Sequence, residues 1–192
     1  MAQLYFYYSS MNAGKSTTLL QSAYNYREQG LTPLLYTAAL DNRTEAGTIN
    51  SRIGLQAQSN IFNARTDLFD EISLIQSDER PNCVLVDEAQ FLSRAQVDQL
   101  AQVVDCLGIP VLCFGIRTDF LGELFSGSKR LLAIADKLKE IKTICHCGRK
   151  ATMVVRLDEA GEVVRQGDKI AVGGNEKYKS LCRKHFSEAF LN

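Results

Sequence analysis

The 192 residues carry 22 Lys and Arg against 22 Asp and Glu, a balance that argues against a long phosphate polymer as partner, since nucleic-acid binders present a basic surface. The length suits one domain of about 140 residues with a small appendage; no uninterrupted apolar stretch reaches transmembrane length, and the opening Met-Ala-Gln-Leu-Tyr-Phe has neither a charged leader region nor a small-residue cleavage site. A soluble, cytoplasmic protein with no membrane or nucleic-acid partner is expected, one that remains free to bind a small anion.

In chain order, residues 4–8 form an apolar run of strand type, and the next eight, Ser9, Ser10, Met11, Asn12, Ala13, Gly14, Lys15 and Ser16, read as a phosphate-binding loop before a helix over 17–28. The chemistry needs those residue types. A tight turn aims successive backbone N–H groups at phosphate oxygens, Lys15 adds a point charge, and the Ser16 hydroxyl completes a magnesium shell. The first glycine of the usual pattern is Ser9 here, so the tail Ala-Gly-Lys-Ser carries the assignment. A nucleoside triphosphate is the first ligand to consider.

Runs 33–37, 83–86 and 111–115 are short, apolar and rich in β-branched or aromatic residues, and longer helix-compatible stretches separate them. That alternation predicts an α/β domain with a parallel sheet. The run 83–86 leads straight into Asp87-Glu88. An aspartate at the carboxyl end of a strand beside a phosphate loop holds magnesium, which assigns Asp87 with Ser16, while Glu88 can take a proton from an attacking hydroxyl. The plainer alternative is that the two acids start a loop and cap the next helix. Ser93 is placed to cap a helix whose apolar positions Val97, Leu100, Val103, Val104 and Leu107 recur at helical spacing before Gly108 and Pro110 stop it. Residues 127–141 continue with helix and then a possible strand, and from 145 the texture changes to short strands, glycines and charges that close in a helix over 178–190. The predicted domains are 1–144 and 145–192.

Of the six cysteines, Cys83, Cys106 and Cys113 lie in or beside apolar runs and are expected to be buried thiols, which suits a reducing compartment. The other three cluster with histidine. Cys145-His146-Cys147 and Cys182-Arg183-Lys184-His185 form two ligand pairs flanking a segment of zinc-ribbon texture. The economical set is Cys145, Cys147, Cys182 and His185, with His146 as a rival. Four protein ligands leave no open position for water, so such a site is structural.

Four ordered motifs, Ser-x-Met-Asn-Ala-Gly-Lys-Ser-Thr, Val-Leu-Val-Asp-Glu-x-Gln-Phe, Arg-Thr-Asp-Phe-x-Gly-Glu-Leu-Phe and Gly-Gly-Asn-Glu-Lys-Tyr-x-Ser-x-Cys-Arg-Lys-His, span nearly the whole chain. Together they resemble the type II (cytosolic, zinc-containing) thymidine kinases, close to the enterobacterial form. The resemblance implies a RecA-like ATP-binding domain, a zinc-anchored lasso loop over the nucleoside, and transfer of the ATP γ-phosphate to the 5′-hydroxyl of thymidine to give dTMP in nucleotide salvage. It further implies acceptance of deoxyuridine, feedback inhibition by dTTP, and a homotetramer. Carried over residue by residue, Glu88 is the general base, Asp87 the magnesium-side acid, Gln90 lies on the ATP side, and Asp41 and Arg43 approach the transferring phosphate. Met11, Ile116, Phe120 and Phe125 line the thymidine pocket; Ala171, Val172 and Gly173 offer backbone partners to the pyrimidine edge, with Tyr178 beside the sugar. Without the family, the aromatics read as core and Asp41 and Arg43 as a polar loop. Ser9 for glycine, C-x-C for C-x-x-C and His185 for the cysteine of animal members are departures that remove no group the transfer needs. Two other readings remain open: a phosphate-loop kinase for another deoxynucleoside, and a non-enzymatic ATP-dependent switch whose ribbon contacts nucleic acid. Against the second, Arg149, Lys150, Arg156 and Lys169 interleave with Asp158, Glu159, Glu162 and Asp168.

Overall fold

The computed structural model describes residues 1–40, 46–167 and 177–191. Strand β1 (Leu4–Ser9) leads through the phosphate loop into α1 (Lys15–Glu28), and β2 (Pro33–Ala38) follows. Next come a hairpin of β3 (Thr48–Asn50) and β4 (Gln56–Gln58), then β5 (Asn60–Phe62) and α2 (Leu68–Ser73). After β6 (Cys83–Val86) and a 3-10 turn at Ala89–Phe91 the chain forms α3 (Arg94–Leu107), β7 (Val111–Ile116), α4 (Ser126–Ile134) and β8 (Lys137–Glu140). The remainder is β9 (Thr143–Ile144), β10 (Lys150–Ala151), β11 (Met153–Arg156), β12 (Tyr178–Leu181) and α5 (Arg183–Leu191).

Six strands make one parallel sheet in the order β5-β2-β6-β7-β1-β8. A parallel sheet is covered on both faces, so its central strands read as continuous apolar runs. β6 illustrates this. Val84 and Val86 join the core beneath α2, α3 and α4 with Phe6, Ile72, Val97, Leu100 and Leu131, while Cys83 and Leu85 face Leu19, Leu20, Ala23 and Phe114 on the α1 side. Ser93 caps α3 in a reciprocal box, its hydroxyl accepting from the Gln96 N–H at 3.1 Å while the Gln96 side chain accepts from the Ser93 N–H at 3.0 Å.

A third, smaller core gathers Cys145, Ala151, Val155, Leu181 and Cys182, with Phe186 and Phe190 of α5 packed against it. Its β11 and β12 pair antiparallel, and so do β9 and β10.

Three expectations change. The stretch 178–190 is not one helix: β12 pairs with β11 before α5 begins at Arg183, because the apolar alternation around Leu181 is satisfied across the strand pair. Between β2 and β6 stand the β3–β4 hairpin, the edge strand β5 and only the six-residue α2, where a longer helix-compatible stretch was expected. Cys106 is exposed while Cys83 and Cys113 are buried. It sits in the last turn of α3, where helical geometry turns it away from the face that carries Val103 and Val104 to the core.

Candidate active site

The phosphate loop leaves β1 at the carboxyl edge of the sheet, where ligands of open α/β sheets bind. Two residues hold left-handed backbone, Asn12 at φ 61° and Gly14 at φ 83°. Lys15 is buried, and its Nζ donates to Ser9 Oγ at 3.0 Å and to the Ser10 carbonyl at 2.9 Å. Ser9 therefore does what glycine cannot, because its hydroxyl takes up the ammonium and itself donates to the Ser10 carbonyl at 2.7 Å. Asn12 and Gly14 are exposed, and Met11 and Ala13 are half-buried.

β7 lies between β1 and β6, so the two acids do not end a strand adjacent to β1. Yet the Ser16 hydroxyl donates to Asp87 Oδ2 at 2.9 Å, across 71 positions of sequence. Asp87 is buried, and its Oδ1 accepts from the Glu88 N–H at 3.0 Å. Glu88 itself turns left-handed at φ 51°. That turn separates the two carboxylates: Asp87 faces Ser16, while Glu88 accepts a hydrogen bond from the Gln90 amide. Gln90 Oε1 in turn accepts from the Ile116 N–H at 3.1 Å, so Gln90 ties the Glu88 carboxylate to the end of β7. Gly115 permits this approach, since a Cβ there would lie 2.9 Å from Gln90 Oε1.

The segment after β7 folds on itself. Asp119 is buried and its Oδ1 accepts from the N–H groups of Leu121 and Glu123 at 3.0 and 2.8 Å. The signal for Asp119 in the sequence is the glycine three positions on, the mark of a turn closed by an aspartate side chain. Phe120 is buried under the Arg156 guanidinium, 4.0 Å from its ring centroid, and Phe125 stands edge-on to Phe91 at 6.0 Å. Ile116 and Tyr178 are half-buried. Asp41, Arg43, Ala171, Val172 and Gly173 lie outside the described residues.

Cys145, Cys147, Cys182 and His185 converge, with their ligand atoms all within 4.8 Å of one another. Three of the spacings are close to the edges of a metal-centred tetrahedron. Cys147 Sγ and Cys182 Sγ are 3.9 Å apart, against about 3.8 Å for metal–sulfur bonds of about 2.3 Å. His185 Nδ1 is 3.3 Å from Cys145 Sγ and 3.5 Å from Cys182 Sγ, leaving Nε2 facing Glu188 Oε2 at 3.8 Å. Burial by itself would raise the Cys145 thiol, but backbone hydrogen bonds from Cys147 and Cys182, with those from His185 and the Cys147 thiol, outweigh it and lower Cys145 to about 5. A thiolate is what a metal takes. His146 stacks on His185 with centroids 4.3 Å apart and stays outside the group of four. The cluster is compatible with a zinc site.

Against known proteins, the family model described as "Thymidine kinase" matches residues 2–186. Proteins named thymidine kinase from Vibrio vulnificus (strain CMCP6) and Vibrio cholerae are each 62% identical over 98% of this chain and 98% of their own length. One of the same name from Yersinia pestis is 60% identical over 98% of this chain and 96% of its own. A solved structure, Bacteroides Pif1 bound to ssDNA, is alike only at 13% identity and a TM-score of 0.36, covering 73% of this chain and 38% of that one, and bears on neither fold nor function. A phosphate loop whose serine meets a strand-end aspartate, a glutamate beside it and a four-ligand cluster run through the same residues that the family model spans, and the chain belongs to the thymidine kinase family.

Proposed function

We propose that the protein transfers the γ-phosphate of ATP to the 5′-hydroxyl of thymidine, giving dTMP, with deoxyuridine also accepted. The observation that carries the phosphate half is the Ser16–Asp87 hydrogen bond at 2.9 Å, which joins the loop serine to the strand-end acid. Family membership carries the nucleoside half. In this reading residues 9–16 cradle the triphosphate with backbone N–H groups, and Lys15 and Arg43 neutralise charge that develops on the transferring group. Ser16 and Asp87 would hold magnesium, which would offset the negative charge of the phosphates. Glu88 accepts the 5′-hydroxyl proton. Its support is the left-handed turn and the Gln90 amide, which hold its carboxylate apart from Asp87. Asp41 assists at the phosphate. Met11, Ile116, Phe120 and Phe125 wall the thymidine, Ala171, Val172 and Gly173 address its pyrimidine edge, and Tyr178 lies beside its sugar.

Cys145, Cys147, Cys182 and His185 would hold zinc, which would tether the lasso of a second domain, 145–192, to the ATP domain, 1–144. We further propose a cytoplasmic homotetramer in which dTTP inhibits by placing its nucleoside in the thymidine pocket and its phosphates in the donor site. Among the described residues no helix is long and apolar enough to cross a membrane.

The test is transfer of labelled γ-phosphate from ATP to thymidine, deoxycytidine and deoxyadenosine in parallel, with Lys15→Ala as the blank. Thymidine alone should be labelled. Glu88→Gln should lower turnover by roughly 100- to 10,000-fold while ATP still binds; unchanged turnover would remove Glu88 from the base role. ATP hydrolysis with no nucleoside product would point instead to a switch.

A further inference from the structure

The small core makes polar contacts with the phosphate loop and with Arg117, which follows β7. Ser180 Oγ, on β12, donates to the Met11 carbonyl at 2.7 Å across 169 positions. Ser10 Oγ donates to the Ala151 carbonyl at 3.5 Å, and the Arg117 guanidinium to the Thr152 carbonyl at 3.2 Å. Ser180 is held on its own side by register, since it pairs with Val154 of β11 and is followed by the buried Leu181 and Cys182.

The Met11 carbonyl is a consequential place to bond. A peptide unit is planar and trans, so the Met11 C=O and the Asn12 N–H point in opposite directions. Fixing the carbonyl toward β12 fixes that N–H away from it. The next residue carries the strain, for Asn12 is a non-glycine residue at φ 61°. Rotation of this one peptide would relieve Asn12 and turn a carbonyl dipole where an N–H had been, and a phosphate attracts the N–H and repels the carbonyl.

We propose that Ser180 is a positioning residue for the ATP phosphates: by holding the Met11–Asn12 peptide in one orientation it makes the phosphate loop's affinity depend on strand β12, and therefore on the intact Cys/His cluster, whose Cys182 lies two residues later. The inference rests on reading residues 9–16 as the ATP site. It assigns to the small domain a role toward the phosphate donor, in addition to covering the nucleoside.

The experiment measures ATP binding by titration calorimetry on full-length protein, with separate KM values for ATP and thymidine, for the unaltered chain, Ser180→Ala and Ser180→Thr. Ser180→Ala should weaken ATP about five- to tenfold, the scale of one buried hydrogen bond and a carbonyl left without its partner, while thymidine KM and bound metal per chain stay as they were. Ser180→Thr keeps the hydroxyl and should restore ATP affinity. Removing the metal from the unaltered chain should weaken ATP likewise, and should weaken it much less in Ser180→Ala. Equal loss of ATP and thymidine affinity, metal loss in Ser180→Ala, or ATP binding as tight as in the unaltered chain would each overturn the proposal. If the unaltered chain bound no ATP, the reading of the loop would fall first and this inference with it.

Discussion

Cysteine means opposite things in the two halves of this molecule. In the sheet, Cys83 and Cys113 are hydrophobes: burial pushes the Cys83 thiol up to about 12, against a small lowering by Tyr26, and raises Cys113 further with no partner acting against it. In the small core the hydrogen bonds from Cys147, Cys182 and His185 lower Cys145 to about 5 against its burial. Burial keeps Cys83 and Cys113 neutral, whereas hydrogen bonds at the Cys/His cluster favour the thiolate of Cys145. The sheet buries Phe6, Phe62, Phe114, Leu85 and dozens of others between helices, enough for a self-sufficient core. The cluster around Ala151, Val155 and Leu181 has five buried members, and a core of that size ordinarily needs a metal or a disulfide.

The largest test of this contrast is Cys182→Ala or metal removal, because a structural zinc site is worth on the order of 10–16 kcal/mol in apparent binding. Hydrogen exchange should accelerate throughout β11, β12 and α5 while β6 and β7 keep their protection. Simultaneous loss in the sheet would make the molecule one cooperative unit and end the comparison.

Thiol alkylation near pH 8 sharpens it. With its thiol at about 12, roughly one Cys83 in 10,000 is ionised there, so mass spectrometry should find Cys83 and Cys113 unmodified until the protein unfolds. The exposed Cys106 should react in all states, and Cys147, also exposed, only once metal is removed. Labelling of Cys83 in the folded protein would contradict its assigned burial.

Phe114→Ala should destabilise the sheet by about 3–5 kcal/mol, since a fully buried phenylalanine that stacks on Tyr7 at 4.6 Å leaves a cavity. Denaturant titration reads this, and metal affinity should not move with it. Ser93→Ala removes the α3 cap and should cost about 1 kcal/mol in the same titration. Smallest is Glu140→Gln. It breaks the exposed 2.7 Å pair with Lys150 that joins β8 to the small core, and should change stability by about 0.2–1 kcal/mol. A larger effect would mean that the two regions are more tightly welded than their cores suggest.

Much of the site was legible because its signals are short. Gly14-Lys15-Ser16 after an apolar strand, Asp87-Glu88 after another, and the Cys/His pairs ending in Cys147 and His185 are local patterns, and the structure brings Ser16 to Asp87 and the two pairs together. The Ser93 cap and the buried face of α3 were readable for the same reason. Less readable was 38–83, where polar residues and short apolar pairs such as Ile61-Phe62 carry no sustained period, so the hairpin and β5 left no clear trace. The exposure of Cys106 was not legible, because neighbouring apolar residues say nothing about which side of a helix a thiol occupies.

The sequence by itself determined the strand-to-helix loop ending in Gly14-Lys15-Ser16, the paired acids, the alternation that forces a parallel sheet and the two Cys/His pairs at 145–147 and 182–185. Each is read from short local patterns, the Cys/His group as two separate pairs of neighbours, and which patterns then meet in space is not part of that reading. Only the tertiary structure decided that β7 separates β1 from β6 while Ser16 still reaches Asp87, that Gln90 ties Glu88 to the end of β7, and that Ser180 meets Met11. Ser16 and Asp87 are 71 positions apart and Ser180 and Met11 169. Contacts over such spans follow from strand order and from how two cores dock, and no local propensity encodes either.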